Sequence, residues 1–423
     1  MEIIPTNTSM FERVVSKYAV DAKKSALDNL AAWLERIDAA LCGKKPDYLK
    51  VVRVQRRTIL TTIGLLSFRR RYYRNEAEGG YVCLLDSAMK IPKRAKILDE
   101  VKYQAISAAC EMSYEKAGRY GSERGCPISK ATVCRAIKKL TLEAVGSPAI
   151  KGNDSTVHLQ LDEKYLHMLG SKNKKKLYTA TIFKGREEAG GLGKMRLVNR
   201  KIMSSTKLKG LFAKVNRYLS GHYKLGIDDA IYVSGDLATY IQSSPERVIA
   251  CKAIYVPDKF HIKSPLMKEL GLVAKDEELN DASYMDSLIA KIEGDGGLSG
   301  IECLSKIAKL YKGNKDVFKP YLDDSYDGCS QEGMNSHYYS PRFDKVCNKF
   351  KPETIEKIAS MIEAGENGES MRTTIGKKDY YEEPNLELGG FRSELERYDI
   401  DKSNMNRSLR ECMIAIEYGE KTY

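Results

Sequence analysis

The sequence predicts an α/β protein in which a mixed β-sheet domain follows a smaller, basic α+β region. Three observations predict this class: two strand-like segments within residues 51–75, a helical pair within 98–145, and five strand-like segments with one helix among them over 156–256. Strands that alternate with helices are typical of a sheet covered by helices. Because 423 residues exceed one ordinary core, we expect two or three domains.

Positive charge is concentrated in the first two-thirds of the chain. Residues 1–270 hold 49 Lys and Arg against 27 Asp and Glu, whereas residues 271–423 hold 21 against 30, and the net charge is +13. A basic region beside an acidic one predicts a polyanionic partner held on one part of the molecule. Charge alone does not distinguish DNA from RNA.

Signals that direct proteins to membranes or to export are not found in the sequence. No run of eighteen apolar residues exists, and the N-terminal segment lacks the basic start and apolar core of a signal peptide. The ten cysteines form no Cys-x-x-Cys pair and no zinc-binding spacing with His, so we expect reduced thiols. These features predict a cytoplasmic protein without a membrane partner.

The region before residue 98 combines a helix with arginine-rich strands. Apolar residues recur every three or four positions over 9–43, which predicts a helix. Residues 51–75 predict two strands around Gly64, and 81–86 could form a third. Arginine with interleaved tyrosine suits phosphate contact and base stacking, although an exposed, solubilising sheet face has the same composition. The candidates for DNA contact here are Arg56, Arg57, Arg69, Arg70 and Arg71.

Residues 113–140 have the pattern of a helix-turn-helix. Ser113 can cap a first helix that runs to about Arg124, residues 125–127 interrupt it, and Ser129 can cap a second helix. Many helical hairpins share this pattern, but its place in a basic region favours DNA binding. The predicted core residues of the second helix are Val133, Ile137 and Leu140. Its predicted DNA-contacting residues are Lys130, Thr132, Arg135 and Lys138.

The stretch TVHLQLDEKYLHM, residues 156–168, is the predicted centre of the sheet. Apolar and polar residues alternate from 157 to 161, which is typical of a strand with two unlike faces. Asp162 and Glu163 end this alternation and point to opposite faces, so only one can enter a given site. Asp162 is either a site carboxylate or a solvated acid at a strand end.

Three strands, a helix and two further strands follow in order. The strands are predicted from 156 and at 177–184, 196–203, 230–233 and 248–256, with the helix at 206–219. This order matches the ribonuclease H-like fold, in which the ends of the first and fourth strands lie side by side. Asp162 and Asp236 would then meet although 74 residues separate them. Two carboxylates in such a crevice are what a pair of Mg²⁺ ions needs, since hard cations take oxygen ligands.

Residues 264–326 are predicted to form a helical insertion in this domain. Amphipathic segments punctuated by glycines occupy it, and turn-forming residues follow it. Ser330 can then cap a new helix with Glu332 in its first turn. Further helices are predicted at 353–363 and around 409–418. The predicted domains are therefore 1–50, 51–150, 151–345 and a C-terminal tail at 346–423.

These segments together resemble a bacterial insertion-sequence transposase. The family has long been catalogued as an uncharacterised protein family and is related to the Mutator-like DDE transposases. The matching stretches span residue 51 to about 345 and are RTILTTIGLLSFRRRYYRN, YVCLLD, ISKATVCRAI, LQLDEKYLHM, YVSGDLATYI, VPDKFHIKSPL and GCSQEGMNSHYYSPRF. Leu237 and the segment after Glu332 depart from the family pattern.

The resemblance implies a DDE active site and two-metal phosphoryl transfer. Asp162 is then the first acid, Asp236 the second and Glu332 the third, and two Mg²⁺ or Mn²⁺ ions are the implied cofactor. His261 resembles the histidine of an Asp/Cys-x-x-His element found between the second and third acids. The implied partners are double-stranded DNA, as transposon ends and target, and further copies of the chain, with a nucleoid location.

Other interpretations stay open at this point. His261 also fits a hydrogen-bonded histidine at a strand end, and Glu332 also fits an acid that favours a helix start. Glu269 and Glu302 are rival third acids, although both fit solvated helix faces. A domesticated or decayed DNA-binding protein without catalysis is the alternative function, and a structure-selective nuclease of the same fold is a third.

Overall fold

A computed structural model of the chain divides into two compact units. One comprises Met1–Leu98 with Lys377–Tyr423, here called the N-terminal unit, and the other, Asp99–Gly376, is called the sheet unit. The structure describes residues 9–123, 127–144, 156–188, 195–226, 229–249, 251–323, 326, 328–329, 331–344 and 349–381. Among these residues, each helix is too short or too polar to cross a lipid bilayer.

The N-terminal unit begins with helix α1 (Met10–Gly43), which agrees with the predicted helix. The Ser9 hydroxyl accepts from the Glu12 amide at 3.1 Å, and the Glu12 carboxylate accepts from the Ser9 amide at 2.6 Å. This reciprocal capping satisfies two amides at the helix start. Only the second half of α1 contributes buried residues, which are Leu34, Ile37, Asp38 and Leu41.

An antiparallel hairpin packs on α1. Its strands are β1 (Leu49–Thr61) and β2 (Gly64–Asn75), and the short β3 (Tyr81–Val82) pairs with β2. The hairpin around Gly64 agrees with the prediction. The segment 81–86 differs, because helix α2 (Leu84–Ala88) follows β3 and turns Leu84 and Leu85 into the core.

Two of the predicted DNA-contacting arginines are buried in this unit. The guanidinium groups of Arg57 and Arg70 both bond Oδ2 of Asp86, whose side chain is fully buried. Arg57 also donates to the carbonyl oxygen of Pro92 at 2.8 Å. This corrects the prediction for Arg57 and Arg70: the two-residue period of their strands turns both side chains inward, where both pair with Asp86.

The other three candidate arginines are in different surroundings. Arg71 is half-buried and its Nη1 lies 2.7 Å from Oδ2 of Asp38 on α1. Arg56 and Arg69 lie directly opposite each other across the hairpin and are exposed. Arg56 and Arg69 are therefore the two candidates of this unit whose side chains are accessible.

The sheet unit opens with three helices that pack together, α3 (Asp99–Ala108), α4 (Tyr114–Glu123) and α5 (Lys130–Lys139). The hydroxyls of Ser113 and Ser129 each accept an amide hydrogen bond at 3.2 Å, so both predicted caps are confirmed. Gly118 allows α4 to approach the start of α5, because a Cβ there would lie 2.2 Å from the carbonyl oxygen of Ile128. Of the predicted interruption at 125–127, residues 125 and 126 lie outside the described residues.

Strand β4 (Leu140–Ala144) follows α5 directly and pairs antiparallel with residues 371–375. The predicted helical region at 98–145 therefore contains a strand from Leu140 to Ala144. This pairing holds α3, α4 and α5 in the same compact unit as the main sheet, whereas the sequence placed a boundary near 150. The predicted boundary itself, between residues 150 and 151, lies outside the described part of the chain.

A five-stranded sheet forms the centre of this unit. Its strands are β5 (Thr156–Leu166), β6 (Lys175–Phe183), β9 (Lys201–Ser205), β10 (Ala230–Gly235) and β11 (Lys252–Pro257). Between β6 and β9 the chain forms a small hairpin of two strands, β7 (Gly185–Glu188) and β8 (Met195–Val198). The order across the sheet is β11-β10-β5-β6-β9. The β5, β6 and β9 strands are successively antiparallel, and β10 is parallel to both β5 and β11.

The predicted strand at 196–203 is two strands in the structure. Strand β8 pairs with β7 in the small hairpin, and β9 pairs with β6 in the main sheet. Asn199 separates them with a φ of +53°, in the left-handed region that asparagine tolerates better than most residues. The alternating pattern does not reveal this break, because both strands have the same period.

Helices cover both faces of the sheet. Helix α6 (Leu208–His222) packs on the face that carries Val157, Leu159 and Leu161, and the short α7 (Thr239–Gln242) follows β10. Tyr232 and Val256, on the other face, share one core with the helical insertion. The insertion contains α8 (Lys259–Leu270), α9 (Asp276–Asn280), α10 (Ala282–Gly294), α11 (Gly296–Ser299) and α12 (Glu302–Gly313).

The insertion starts earlier than predicted. Asp258 caps α8 immediately after β11, and the helix runs through Pro265. A proline inside a helix removes one amide donor and does not by itself end the helix. The chain then continues with α13 (Gln331–Tyr338), α14 (Ser340–Phe343), α15 (Pro352–Glu366) and β12 (Met371–Ile375). The final predicted helix, near 409–418, lies outside the described residues.

The buried Asp86 cluster gives a stability prediction. Substituting Asp86→Asn leaves Arg57 and Arg70 buried without a counter-charge, and removing one partner of a buried ion pair costs about 3–5 kcal/mol of unfolding free energy. Arg56→Ala, on the same strand but exposed, should change it by less than about 0.5 kcal/mol. Denaturant unfolding of both variants measures this, and a loss below about 1 kcal/mol for Asp86→Asn would contradict it.

Candidate active site

Strand β5 presents Asp162 to helix α13. The odd-numbered residues of β5 face α6, so the even-numbered Gln160 and Asp162 face the other side. The side-chain amide of Gln160 donates to the carbonyl oxygen of Gly328 at 2.9 Å, which ties this face of β5 to the segment just before α13. Asp162 therefore lies beneath α13, two residues beyond Gln160, where the backbone pairing of β5 with β10 stops.

The register of β10 brings Asp236 beside Asp162. The parallel pairs run without a shift from Ala230–Thr156 to Ser234–Gln160, and two residues further on are Asp236 and Asp162. Neighbouring strands lie about 4.8 Å apart, so these two backbone positions are adjacent. Gly235 allows the close approach, because a Cβ there would lie 2.5 Å from the carbonyl oxygen of Leu161.

Asn335 on α13 contacts Asp162 directly. Its Nδ2 donates to Oδ2 of Asp162 at 2.6 Å, while the amide of Glu163 donates to Oδ1 at 2.7 Å. Asn335 is 7% exposed, and its Oδ1 has no hydrogen-bond partner among the described residues. A buried amide oxygen without a donor is available to a hard cation.

Burial raises the pKa of Asp162 to about 6. The two hydrogen bonds that it accepts from Glu163 and Asn335 favour its ionised form, and the charge of Asp236 opposes ionisation. The influence of Asp236 on this pKa agrees with the adjacent positions of Asp162 and Asp236 in the sheet. A carboxylate that is costly to ionise is typical of functional sites, where a bound cation offsets the repulsion.

The strand end next to Asp236 carries Asp258 and His261. The β11–β10 register pairs Pro257 with Gly235, and the amide of Asp258 donates to the carbonyl oxygen of Gly235 at 2.8 Å. Asp258 therefore lies at the same sheet edge. Nε2 of His261 lies 3.9 Å from Oδ2 of Asp258, and 41% of its side chain is exposed. Within the described residues, no bond joins His261 to Asp162 or Asp236.

Glu332, the predicted third acid, occupies the first turn of α13. Its backbone is helical, while its side chain and the predicted cap Ser330 lie outside the described part of the structure. Position 332 precedes Asn335 by three residues, so the two positions share one face of the helix. The same spacing is the signal by which Asn335, which sequence reasoning missed, could have been found.

The two rival third acids are engaged elsewhere. The Glu302 carboxylate bonds Lys306 at 2.7 Å along α12 and is 83% exposed. The Glu269 carboxylate lies 3.3 Å from the Lys268 ammonium. The hydrogen bond with Glu302 raises the pKa of Lys306, and the charge of Asp236 adds to this effect. Helix α12 thus lies within electrostatic reach of the candidate site through a lysine.

Glu163 faces away from Asp162, as its place in the strand predicts. Its Oε1 bonds the Lys176 ammonium at 2.7 Å and accepts from the Tyr165 hydroxyl at 2.6 Å. Its side chain is 8% exposed. The neighbouring acids of β5 therefore have different roles: Glu163 pairs with a lysine, and Asp162 lies beside a second carboxylate.

Helix α5 presents most of its predicted DNA-contacting residues to solvent. Lys130, Arg135 and Lys138 are exposed, whereas Thr132 is half-buried and shares a hydrogen bond of 3.0 Å with the Ser129 hydroxyl. The predicted core residues of this region are buried, namely Val133, Ile137 and Leu140. With Lys139, which is also exposed, α5 therefore presents four positive charges to solvent.

The donor atoms around Asp162 fit a divalent cation. Asp162, Asp236 and Asn335 supply carboxylate and amide oxygens, which Mg²⁺ and Mn²⁺ prefer. Within the described residues, no group of three or more His, Cys, Asp or Glu side chains is arranged to hold a metal ion. Two ions would therefore need a further carboxylate in addition to Asp162, Asp236 and Asn335.

The raised pKa of Asp162 gives a pH-dependent stability prediction. A carboxyl titrates near 3.9 in an unfolded chain and near 6 in this fold. The native state therefore binds more protons between these values, and its stability falls as pH rises through that window. In chelator, Asp162→Asn should be more stable than the original chain at pH 8, by at most about 3 kcal/mol, and nearly equal to it at pH 4.

Thermal unfolding at both pH values measures this difference. Glu277→Gln, which neutralises an exposed acid on α9, is the matched control and should show no such pH dependence. An Asp162→Asn variant that is less stable than the original chain at pH 8 would contradict the prediction.

Comparison with known proteins identifies relatives of this chain. Residues 5–312 match the uncharacterised protein family UPF0236. Two relatives come from Caldanaerobacter subterraneus subsp. tengcongensis. One is a UPF0236 protein whose name joins eleven locus labels, from TTE0033 to TTE2212; it is 27% identical over 378 residues, 84% of this chain and 77% of the relative. The other, UPF0236 protein TTE2489, is 25% identical over 371 residues, 84% of this chain and 78% of the relative.

Among solved structures, the chain is similar to a chain of the Drosophila P element transposase strand transfer complex. The identity is 12% and the TM-score 0.26, over 67% of this chain and 83% of that chain. A TM-score of this size does not establish a shared fold. The match over residues 5–312 covers well over half of the sequence, and the chain therefore belongs to the UPF0236 family.

Proposed function

We propose that this chain is the transposase of a bacterial insertion sequence. It would bind the terminal repeats of its element and catalyse metal-dependent cleavage and transfer of DNA strands. The observation that carries the proposal is the β5–β10 register, which sets Asp162 and Asp236 side by side at one sheet edge. The DDE motif that the sequence resembles requires its first two acids to meet in this way.

The strand order supports a ribonuclease H-like catalytic domain. Three successive antiparallel strands, a helix and two parallel strands give the order β11-β10-β5-β6-β9, with the first and fourth strands of the domain as neighbours. In that fold the catalytic acids follow these two strands. The helical insertion would separate the second acid from the third, which explains the 96 residues between Asp236 and Glu332.

The chain's own residues would hold the ions and orient the reacting strand. Bound Mg²⁺ or Mn²⁺ ions would supply activation of a water or a 3′-hydroxyl and stabilisation of the leaving oxygen. Asp162, Asp236 and Glu332 would be their ligands. Asn335 holds Asp162 in one orientation through Nδ2, and its Oδ1 is free, among the described contacts, for a cation or its water. Most of the remaining catalysis would be positioning, because the protein forms no covalent bond to DNA.

Two basic surfaces suit DNA binding. Helices α3, α4 and α5 pack as a group, and the close α4–α5 approach at Gly118 is compatible with a helix-turn-helix whose second helix carries Lys130, Arg135 and Lys138. In the N-terminal unit, Arg56 lies opposite Arg69. Like charges directly opposite on a sheet repel each other, so an anionic partner such as phosphate would relieve this repulsion.

The names of the relatives add a separate line of support. One UPF0236 protein carries eleven locus labels from one bacterial strain, and another carries four. One protein name shared by many loci is expected for an element that multiplies within a genome. Because both ends of such an element must be brought together, we expect the chain to act as a homo-oligomer on DNA.

Cleavage should depend on the metal and on the three acids. A labelled duplex with the element's end should be cut in Mg²⁺ or Mn²⁺ and left intact in chelator. Asp162→Asn, Asp236→Asn and Glu332→Gln should each lower the rate at least about 100-fold, since even indirect partners of a metal matter 10- to 100-fold. End binding should be retained.

Glu269→Gln and Glu302→Gln are the matched controls, because both remove a rival acid on an insertion helix. Full cleavage by Asp162→Asn would end the DDE interpretation. Specific end binding without any cleavage by the original chain would instead favour the non-catalytic DNA-binding protein.

End recognition should depend on α5. Arg135→Ala removes an exposed guanidinium from the helix proposed to enter the major groove, which should reduce the preference for the element's end over a scrambled duplex about 5- to 100-fold. Lys291→Ala, an exposed lysine on α10, should leave the preference unchanged. Competition gel shifts at fixed salt measure the ratio. An unchanged ratio for Arg135→Ala would show that α5 does not read the end.

A further inference from the structure

We propose that a cavity at the far end of β5 binds one unpaired nucleotide of the DNA strand held in the candidate active site. The cavity has a volume of about 580 Å³ and lies wholly within the sheet unit, between the end of β5 and the α14–α15 segment. Its size falls within the range of about 300–1,000 Å³ that small-molecule sites occupy. This inference rests on the proposed function and adds a specific substrate contact to it.

The floor of the cavity is apolar and buried. Leu166, Phe343 and Phe350 line it and are each less than 10% exposed. The rings of Phe343 and Phe350 meet edge to face with centroids 6.2 Å apart. An apolar floor of this kind favours a group with little charge, such as a nucleobase.

The rim of the cavity carries uncompensated positive charge. Lys172, Lys174 and Lys349 line it and are exposed, and none has an ion-pair partner within the described part of the chain. The rim's own carboxylate, Asp344, is instead bonded by Lys164 at 2.5 Å. Three lysines without counter-ions around one opening fit the phosphates on either side of a bound nucleotide.

Tyr165 provides a stacking surface beside these lysines. It lines the cavity, is 51% exposed, and is held by its hydroxyl bond to Glu163. The Lys176 ammonium lies 5.4 Å from the centroid of its ring. A fixed, half-exposed tyrosine next to a lysine rim is the combination that binds single-stranded nucleic acid by stacking and phosphate contact.

The position of the cavity relates it to the candidate site. Leu166 is four residues beyond Asp162 on the same strand and the same face, a distance of about 13 Å. At about 3.4 Å per nucleotide along a strand, this spans a few nucleotides from the reacting phosphate. A paired base cannot enter such a cavity, so the bound nucleotide must be unstacked, as at an opened transposon end.

The test compares two triple variants of the full chain with the same charge change. The pocket variant is Lys172→Ala/Lys174→Ala/Lys349→Ala, and the control variant is Lys224→Ala/Lys291→Ala/Lys309→Ala, whose lysines are exposed elsewhere in the sheet unit. The probe is a single-stranded oligonucleotide containing 2-aminopurine, titrated at several salt concentrations. Three lost phosphate contacts should reduce the slope of log affinity against log salt by about 2 for the pocket variant alone.

A second pair of variants tests the stacked base. Tyr165→Ala should weaken binding about 5- to 100-fold and abolish the quenching of 2-aminopurine fluorescence, whereas Tyr165→Phe keeps the ring and should retain both. An abasic oligonucleotide should lose affinity for the original chain and not for Tyr165→Ala. Equal losses in the two triple variants, or quenching that persists in Tyr165→Ala, would overturn the proposal.

Metal-dependent cleavage of the element's end, measured on the same proteins, separates this inference from the proposed function. Cleavage by the original chain with pocket and control variants that bind alike would refute the cavity alone. Selective loss of oligonucleotide binding in the pocket variant, with no cleavage by the original chain in Mg²⁺ or Mn²⁺, would support the cavity and refute the catalytic proposal.

Discussion

The parallel hydrogen-bond ladder between β5 and β10 sets the geometry on which the candidate site depends. It aligns residues that are 74 positions apart in the chain, without a shift from the pair Ala230–Thr156 to the pair Ser234–Gln160. Two residues further along, Asp236 follows the end of β10 while Asp162 lies within β5, and the same alignment makes the two acids neighbours. The register of β11 with β10 brings Asp258 to the same sheet edge. A slip of one residue in either pair would turn one carboxylate to the opposite face.

The buried surroundings of Asp162 make its ionised form costly to the stability of the fold. Burial raises its pKa to about 6, so the ionised form is costly in the absence of a cation. The structure offsets this only in part, through one backbone amide and the side chain of Asn335. Glu163, the next residue, is buried with a lysine partner instead. Adjacent carboxylates on one strand thus differ: Glu163 has a lysine partner, whereas Asp162 has no ion-pair partner among the described residues.

The arginines of the N-terminal unit show the same division. Arg57 and Arg70 are buried and pair with Asp86, whereas Arg56 and Arg69 are exposed and lie opposite each other. The positive net charge of this region therefore overstates the charge available to a partner. The lysines around the cavity at the end of β5 show the same division. Lys164 pairs with Asp344, whereas Lys172 and Lys174 have no ion-pair partner among the described residues.

Local patterns in the sequence determined much of the secondary structure. The helix at 9–43, the hairpin around Gly64, the caps at Ser113 and Ser129, and the two-faced strand that carries Asp162 all follow from residue periodicity and capping chemistry, which act over a few residues. The meeting of Asp162 and Asp236 was predictable only because the order of elements suggested a known sheet.

Only the tertiary structure decided which polar residues serve the fold and which are free. Asn335 reaches Asp162 across 173 residues, and Arg57 and Arg70 find Asp86 from different strands. The break at Asn199, the pairing of β4 with β12 and the cavity at the end of β5 also depend on segments that are distant in the chain. The physical reason is that burial, ion pairing and register are set by neighbours in space, and residue spacing constrains such neighbours only within a single helix or strand.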